Sequence, residues 1–132
     1  KKMATTTATI NIASADLTDN ILNLTNTATL NKRGNEEGLD TIISATKTFT
    51  STSAVDLIAV TGFTGTAANK VYIANTSADT TTYFTIGIQS EEVGRLYGGD
   101  WMFIPWDADT DDDITITPSV ATAMTCEYIA FS

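Results

Sequence analysis

Apolar and polar residues alternate with a period of two along much of this chain. Ala8, Ile10 and Ile12 fall on one side of an extended segment, with Thr9 and Asn11 on the other. Phe84, Ile86 and Ile88 alternate with Tyr83, Thr85 and Gly87, and Ile114 and Ile116 alternate with Thr115 and Thr117. Successive side chains of a strand point to opposite faces, so short runs of this kind predict half-buried β-strands. Two segments, Val55 to Val60 and Trp101 to Ile104, are apolar on both sides. They predict central strands or strands covered by a partner.

Turn residues punctuate these runs. Arg33-Gly34-Asn35 with Gly38 marks a charged loop, and Thr61 to Gly65 a flexible turn. Asn75 to Asp79 is a polar turn, and Gly98-Gly99-Asp100 a tight turn into the Trp101 strand. Asp107 to Asp113 forms an acidic loop, and Pro118 ends the strand that follows it. A helix over Ala15 to Leu24 would need a cap at Ser14 or Asp16, but Asn and Thr interrupt its apolar stripe. A strand through Ile21 to Leu24 fits better. No repeat, linker or second domain is legible. Strands about every 10–12 residues predict an all-β protein: a single antiparallel β-sandwich or jelly roll of about eight strands over residues 1–132. Residues 1–7 are polar and read as an N-terminal arm that pairs with a partner, with Met3, Thr5 and Thr7 as its contact residues.

Composition narrows the chemistry. The 132 residues suffice to bury a core without disulfides or metals. Net charge is −9 with only seven Lys and Arg, which argues against nucleic acid and against an anionic membrane surface. Acidity suits solubility and repulsion between densely displayed copies, and equally a host whose proteins are acidic in general. Thr makes up roughly a fifth of the chain; it is β-branched and presents hydroxyls on solvated sheet faces. That usage suits an extracellular or virion surface. The basic start Lys1-Lys2-Met3 is not followed by an apolar run, so it does not read as a signal peptide.

Histidine is absent, which removes Ser-His-Asp and Cys-His nucleophile systems and His-ligated metals. Cys126 is the sole cysteine, and it alternates with Met124 and Tyr128 as a buried small hydrophobe. The doublets Glu36-Glu37 and Glu91-Glu92 place adjacent carboxylates on opposite faces of an extended chain, so neither predicts a catalytic pair. The chain reads as a non-enzyme with no resident cofactor.

Two features remain as candidate sites. Asp107, Asp109, Asp111 and Asp113 alternate through the acidic loop and are candidate calcium ligands. The EF-hand pattern is excluded, because its sixth and twelfth positions hold Asp112 and Pro118. The competing reading is a solvated acidic turn that protects a sheet end. Trp101, Phe103 and Trp106, with Tyr97 nearby, form an aromatic cluster. Trp101 or Phe103 is expected in the core. Trp106, beside the acidic loop, is expected at an interface together with Tyr97, as a protein anchor or a sugar-stacking ring. Asn23-Leu24-Thr25 and Asn75-Thr76-Ser77 match a glycosylation sequon, but such matches arise by chance in an Asn- and Thr-rich chain.

The layout from about residue 69 to 131 resembles small β-sandwich structural proteins of tailed bacteriophages, of the head decoration or cement type. The resemblance lies in the strand and polar turn Lys70 to Ser77, the strand Phe84 to Gln89, and the run Arg95 to Pro105. Ile114 to Thr117 and Cys126 to Ala130 resemble the closing strands. It is a pattern of strands and turns and carries over no functional residues. It implies a virion setting on the capsid exterior. The partner would be the major capsid protein or another virion protein, engaged by a homo-oligomer. A receptor- or glycan-binding β domain of a tail or fibre is the alternative.

Overall fold

A computed structural model describes residues 5–17, 19–31, 38–39, 41–65 and 69–132. The chain divides into two compact units, residues 1–40 and 41–132, where the sequence predicts one sandwich over the full length.

The first unit holds β1 (Thr6–Ser14) and β2 (Leu22–Leu30), an antiparallel hairpin with nine unbroken residue pairs. One face carries Ala8, Ile10 and Ile12 opposite Ala28, Asn26 and Leu24; the other carries Thr7, Thr9 and Asn11 opposite Thr29, Thr27 and Thr25. The Thr9 and Thr27 hydroxyls are bonded across the polar face at 2.8 Å. Ser14 does not cap a helix. Its Oγ accepts from the Leu17 amide at 3.1 Å and turns the chain out of β1, so the Ile21–Leu24 strand reading holds. Of the residues expected to form an arm, Thr6 and Thr7 lie in β1, paired with Leu30 and Thr29 of β2. Met3 and the loop Arg33-Gly34-Asn35 lie outside the described residues.

The second unit is the antiparallel β-sandwich. One sheet has the order β3 (Thr41–Phe49), β10 (Met124–Phe131), β5 (Lys70–Asn75), β8 (Trp101–Pro105). The other has the order β4 (Val55–Ile58), β9 (Ile114–Pro118), β6 (Tyr83–Ile88), β7 (Glu91–Tyr97). Eight strands make the sandwich, within residues 41–132, and with the hairpin the chain has ten, against the expected eight or so over its whole length. The inward positions follow the period-two pattern: Val71 and Ile73 from one sheet, and Phe84, Ile86, Ile114 and Ile116 from the other, are all fully buried. Each such side chain contributes about 1.5–3 kcal/mol of transfer free energy. Phe49 and Phe84 meet edge to face across the two sheets, with centroids 5.5 Å apart.

The two segments that are apolar on both sides are edge strands, not central ones. β4 is interrupted by an irregularity between Asp56 and Ile58, and Val55 is exposed. On β8, Met102 and Ile104 pack against the core, which leaves Trp101 and Phe103 pointing outward.

Candidate functional site

The site is built on the turn that joins β7 to β8, the edge strands of the two sheets. Asn75, at the end of β5, is 1% exposed and organises this turn. Its Nδ2 donates to the Leu96 carbonyl at 2.9 Å, and its Oδ1 accepts from the Ser77 amide at 3.0 Å. The Asn75 carbonyl accepts from the Gly99 amide at 2.8 Å, and its own amide donates to the Asp100 carbonyl at 2.9 Å. Asp100 closes the turn by accepting the Tyr97 amide on Oδ2 at 2.9 Å. Gly98 approaches the 77–79 segment so closely that a Cβ there would collide with the Asp79 carbonyl oxygen. Gly99 has φ 93°, a conformation that favours glycine. Next to it, the Asp79 carboxylate accepts from the Thr81 hydroxyl and the Thr81 amide, and these bonds hold its pKa below the ordinary carboxylate value. These bonds fix the corner, and the turn carries an aromatic surface on each side.

On one side, the outer face of the β10-β5-β8 sheet carries a row of rings. Tyr72 lies between Phe103 on β8 and Ile129 on β10. The Trp101 ring is tilted 36° to Tyr72 at 6.3 Å and is 52% exposed. Phe103, Ile129 and Phe131 are half-buried on the same face. On the other side, Tyr83 and Tyr97 are paired across β6 and β7 with centroids 5.1 Å apart. Arg95 lies over the Tyr83 ring at 4.9 Å and donates from Nε to Glu92 at 3.0 Å. The Glu92 carboxylate raises the Arg95 pKa further above its ordinary value. Tyr97 is 41% exposed, which keeps it available as an interface residue.

Trp106 is corrected. At 3% exposure it belongs to the core, with Phe63 edge to face at 4.9 Å. Its Nε1 donates to the Asp112 carbonyl at 2.8 Å, so the polar end that suggested a surface ring is satisfied inside the acidic loop. Trp101 takes the exposed place that the sequence reading assigned to Trp106. The signal that separates them is parity on β8: Met102 and Ile104 continue the inward register, which turns Trp101 outward.

The calcium expectation is also corrected. Among the described residues, no three acidic or sulfur-bearing side chains gather to hold a metal. The acidic loop instead caps backbone. Asp113 Oδ1 accepts from the Val60 amide at 2.7 Å, and Asp109 Oδ1 accepts from the Thr110 amide at 2.7 Å. Asp111, at φ 70°, makes the reversal. Asp107 does not join them in a cluster. Glu91 and Glu92 are adjacent on β7, and Glu36 and Glu37 fall outside the described residues. Thr5 and Thr7 are exposed, Thr7 on the polar face of the hairpin. Cys126 is fully buried, and burial pushes its thiol up to about 12.

No family model matches the chain, and a search of curated proteins finds no match. Among solved structures, the crystal structure of Yersinia pseudotuberculosis-derived mitogen is similar at 12% identity and a TM-score of 0.43, over 67% of this chain and 82% of that one. At that TM-score the likeness carries no inference about function.

Proposed function

We propose that this chain is a structural virion protein of a tailed bacteriophage, a capsid decoration protein that binds and stabilises the assembled shell from outside. The observation that supports this most is the row of rings on the outer sheet face, Trp101, Tyr72 and Phe103, held on a rigid sandwich and set apart from its core. Interfaces between proteins are enriched in such rings, and a pre-ordered strand presents them at low entropic cost. The layout of residues 69 to 131 points the same way. In this reading the major capsid protein covers the ring row. Binding only the assembled shell stabilises it by mass action. Phage particles with and without the protein, compared for resistance to heat and osmotic shock, test the proposal. Decorated particles resist more; equal resistance overturns the stabilising role.

The exposed Trp101 ring beside Tyr72 favours one other reading, a glycan-stacking domain on a tail or fibre. Copy number separates the two: hundreds per particle for decoration, a handful for a tail.

A further inference from the structure

The outer face of the β4-β9-β6-β7 sheet is built differently from the ring row on the opposite side of the sandwich. Its edge strand β7 presents three long side chains on this face, Glu92, Arg95 and Tyr97. The strands beside it present short ones. Gly87 and Thr85 on β6 stand opposite Glu92 and Arg95, and Thr115 and Thr117 on β9 follow them. Strand spacing and the rise between residues on one face make this a shelf of roughly 10 Å by 14 Å, walled along β7. The floor has to stay low at Gly87, because a Cβ there would meet the Thr115 hydroxyl and the Glu91 carbonyl.

The wall is ordered by its own contacts and keeps bonding groups in reserve. Glu92 uses Oε1 to accept from Arg95 Nε. The guanidinium lies over the Tyr83 ring and occupies that face, which leaves Tyr97 as the ring open to a ligand. Among the described residues, Glu92 Oε2, the two terminal nitrogens of Arg95 and the hydroxyls of Thr85, Thr115 and Thr117 make no hydrogen bond to protein.

These free atoms select a ligand. On the wall, a carboxylate oxygen and a guanidinium fork lie side by side, an acceptor next to donors. A pair of neighbouring hydroxyls on a sugar matches them, one donating to Glu92 and the other accepting from Arg95, both in charge-assisted bonds. The C–H face of the same sugar ring rests on the electron-rich face of Tyr97. The Thr hydroxyls of the floor donate and accept, as further sugar hydroxyls require. A protein partner would find few anchors on that floor, since Thr is under-represented among the residues that carry interface energy. An anionic sugar is disfavoured, because Glu92 already balances Arg95 in a chain of net charge −9. We infer that this shelf binds a neutral, hexose-containing saccharide, held at the β7 edge by Tyr97, Arg95 and Glu92. The site is separate from the Trp101 row, and it stands whether or not the chain coats a shell.

An NMR titration of the isotope-labelled full chain tests the inference. The probes are maltotetraose, cellotetraose and mannotetraose, with sialyllactose as the anionic counterpart. At least one neutral probe is expected to move the amide signals of β6, β7 and β9 with a Kd of about 5 mM or below. Arg95→Ala and Glu92→Ala, both at an exposed edge, are expected to weaken that binding about ten-fold each while the emission of buried Trp106 stays as in the wild type. Trp101→Ala is expected to bind unchanged. The absence of shifts on this face with every neutral probe up to about 50 mM overturns the inference. So does binding of sialyllactose alone, binding that Arg95→Ala leaves intact, or binding that Trp101→Ala abolishes.

Discussion

Asn75 and Gly98 show how single residues set the β7–β8 corner. Removing the Asn75 side-chain amide takes a buried donor from the Leu96 carbonyl and the Oδ1 acceptor from the Ser77 amide, a loss of about 1–3 kcal/mol. Asn75→Ala should therefore lower the midpoint of denaturant unfolding clearly. Gly98→Ala should do the same by another route, because its Cβ meets backbone at Asp79 and Ser77 that has no room to yield. The same burial makes Asn75 inaccessible to a glycosyltransferase in the folded chain, whatever its sequon suggests. Cys126 makes a second residue-scale prediction. Its thiol is raised from 9.0 to about 12 by burial first and the Glu127 carboxylate second, with Lys47 opposing. The unfolded chain then loses this proton at lower pH than the native one. Its effect on stability is absent below about pH 9 and grows unfavourably between pH 9 and 12. Melting curves of the wild type should fall over that window more steeply than those of Cys126→Ala. Thiol reagents at pH 8 should leave the folded protein unmodified.

At the scale of elements, the sequence pattern identifies strands well and their neighbours poorly. Phe84, Ile86, Ile114 and Ile116 alternate and are buried as alternation predicts. Ile10 and Ile12 alternate equally well and are exposed, because period two reports an amphipathic strand and not what covers it. Trp101 to Ile104 looked apolar on both sides since both of its faces are used, one for the core and one for the ring row. Trp106 misled for a related reason: its neighbours Pro105 and Asp107 suggested a loop at the surface, while the bond to Asp112 that draws it inward joins residues six apart. The acidic loop was legible as a loop but not as a cap on the Val60 amide, which lies 53 residues away. Its prediction follows from that role. Calcium should produce no heat on titration and no shift in melting temperature, while Asp113→Ala should destabilise by about 1–3 kcal/mol as the Val60 amide loses a charged acceptor. On β3, Lys47 sits opposite the buried Cys126 with its ammonium over the Phe49 ring at 5.3 Å. An inward-leaning charge at a sheet edge discourages further pairing. Lys47→Val should leave the sandwich folded and raise light scattering on mild heating, when edges become available.

At the scale of the molecule, the sandwich offers two aromatic surfaces around one edge, and they differ in chemistry. The Trp101 side is the more apolar, with Trp101 tilted over Tyr72, and with Phe103, Ile129 and Phe131 beside Lys70 and Glu127; the Tyr97 side carries Arg95 and Glu92 with its rings. If a shell is the partner, the apolar side should supply the affinity, since a large ring removed fully from water gives most and an exposed ion pair gives little. The Arg95–Glu92 pair should instead influence the rate and salt dependence of encounter. Three variants added back to undecorated particles distinguish these contributions. Trp101→Ala should weaken binding by about 2 kcal/mol, roughly 30-fold in Kd, through faster release. Arg95→Ala should alter binding within a few-fold and change its response to salt. Thr117→Ala, on the outer face of β9 beside Thr85 and so on the Tyr97 side rather than the Trp101 side, should bind as the wild type does if the Trp101 side supplies the affinity. Trp101 does not contact the core, so its loss should leave the melting temperature near the wild-type value, and a binding defect there can be assigned to the surface. Wild-type affinity in Trp101→Ala would move the contact surface off this face and onto the Tyr97 side or the hairpin.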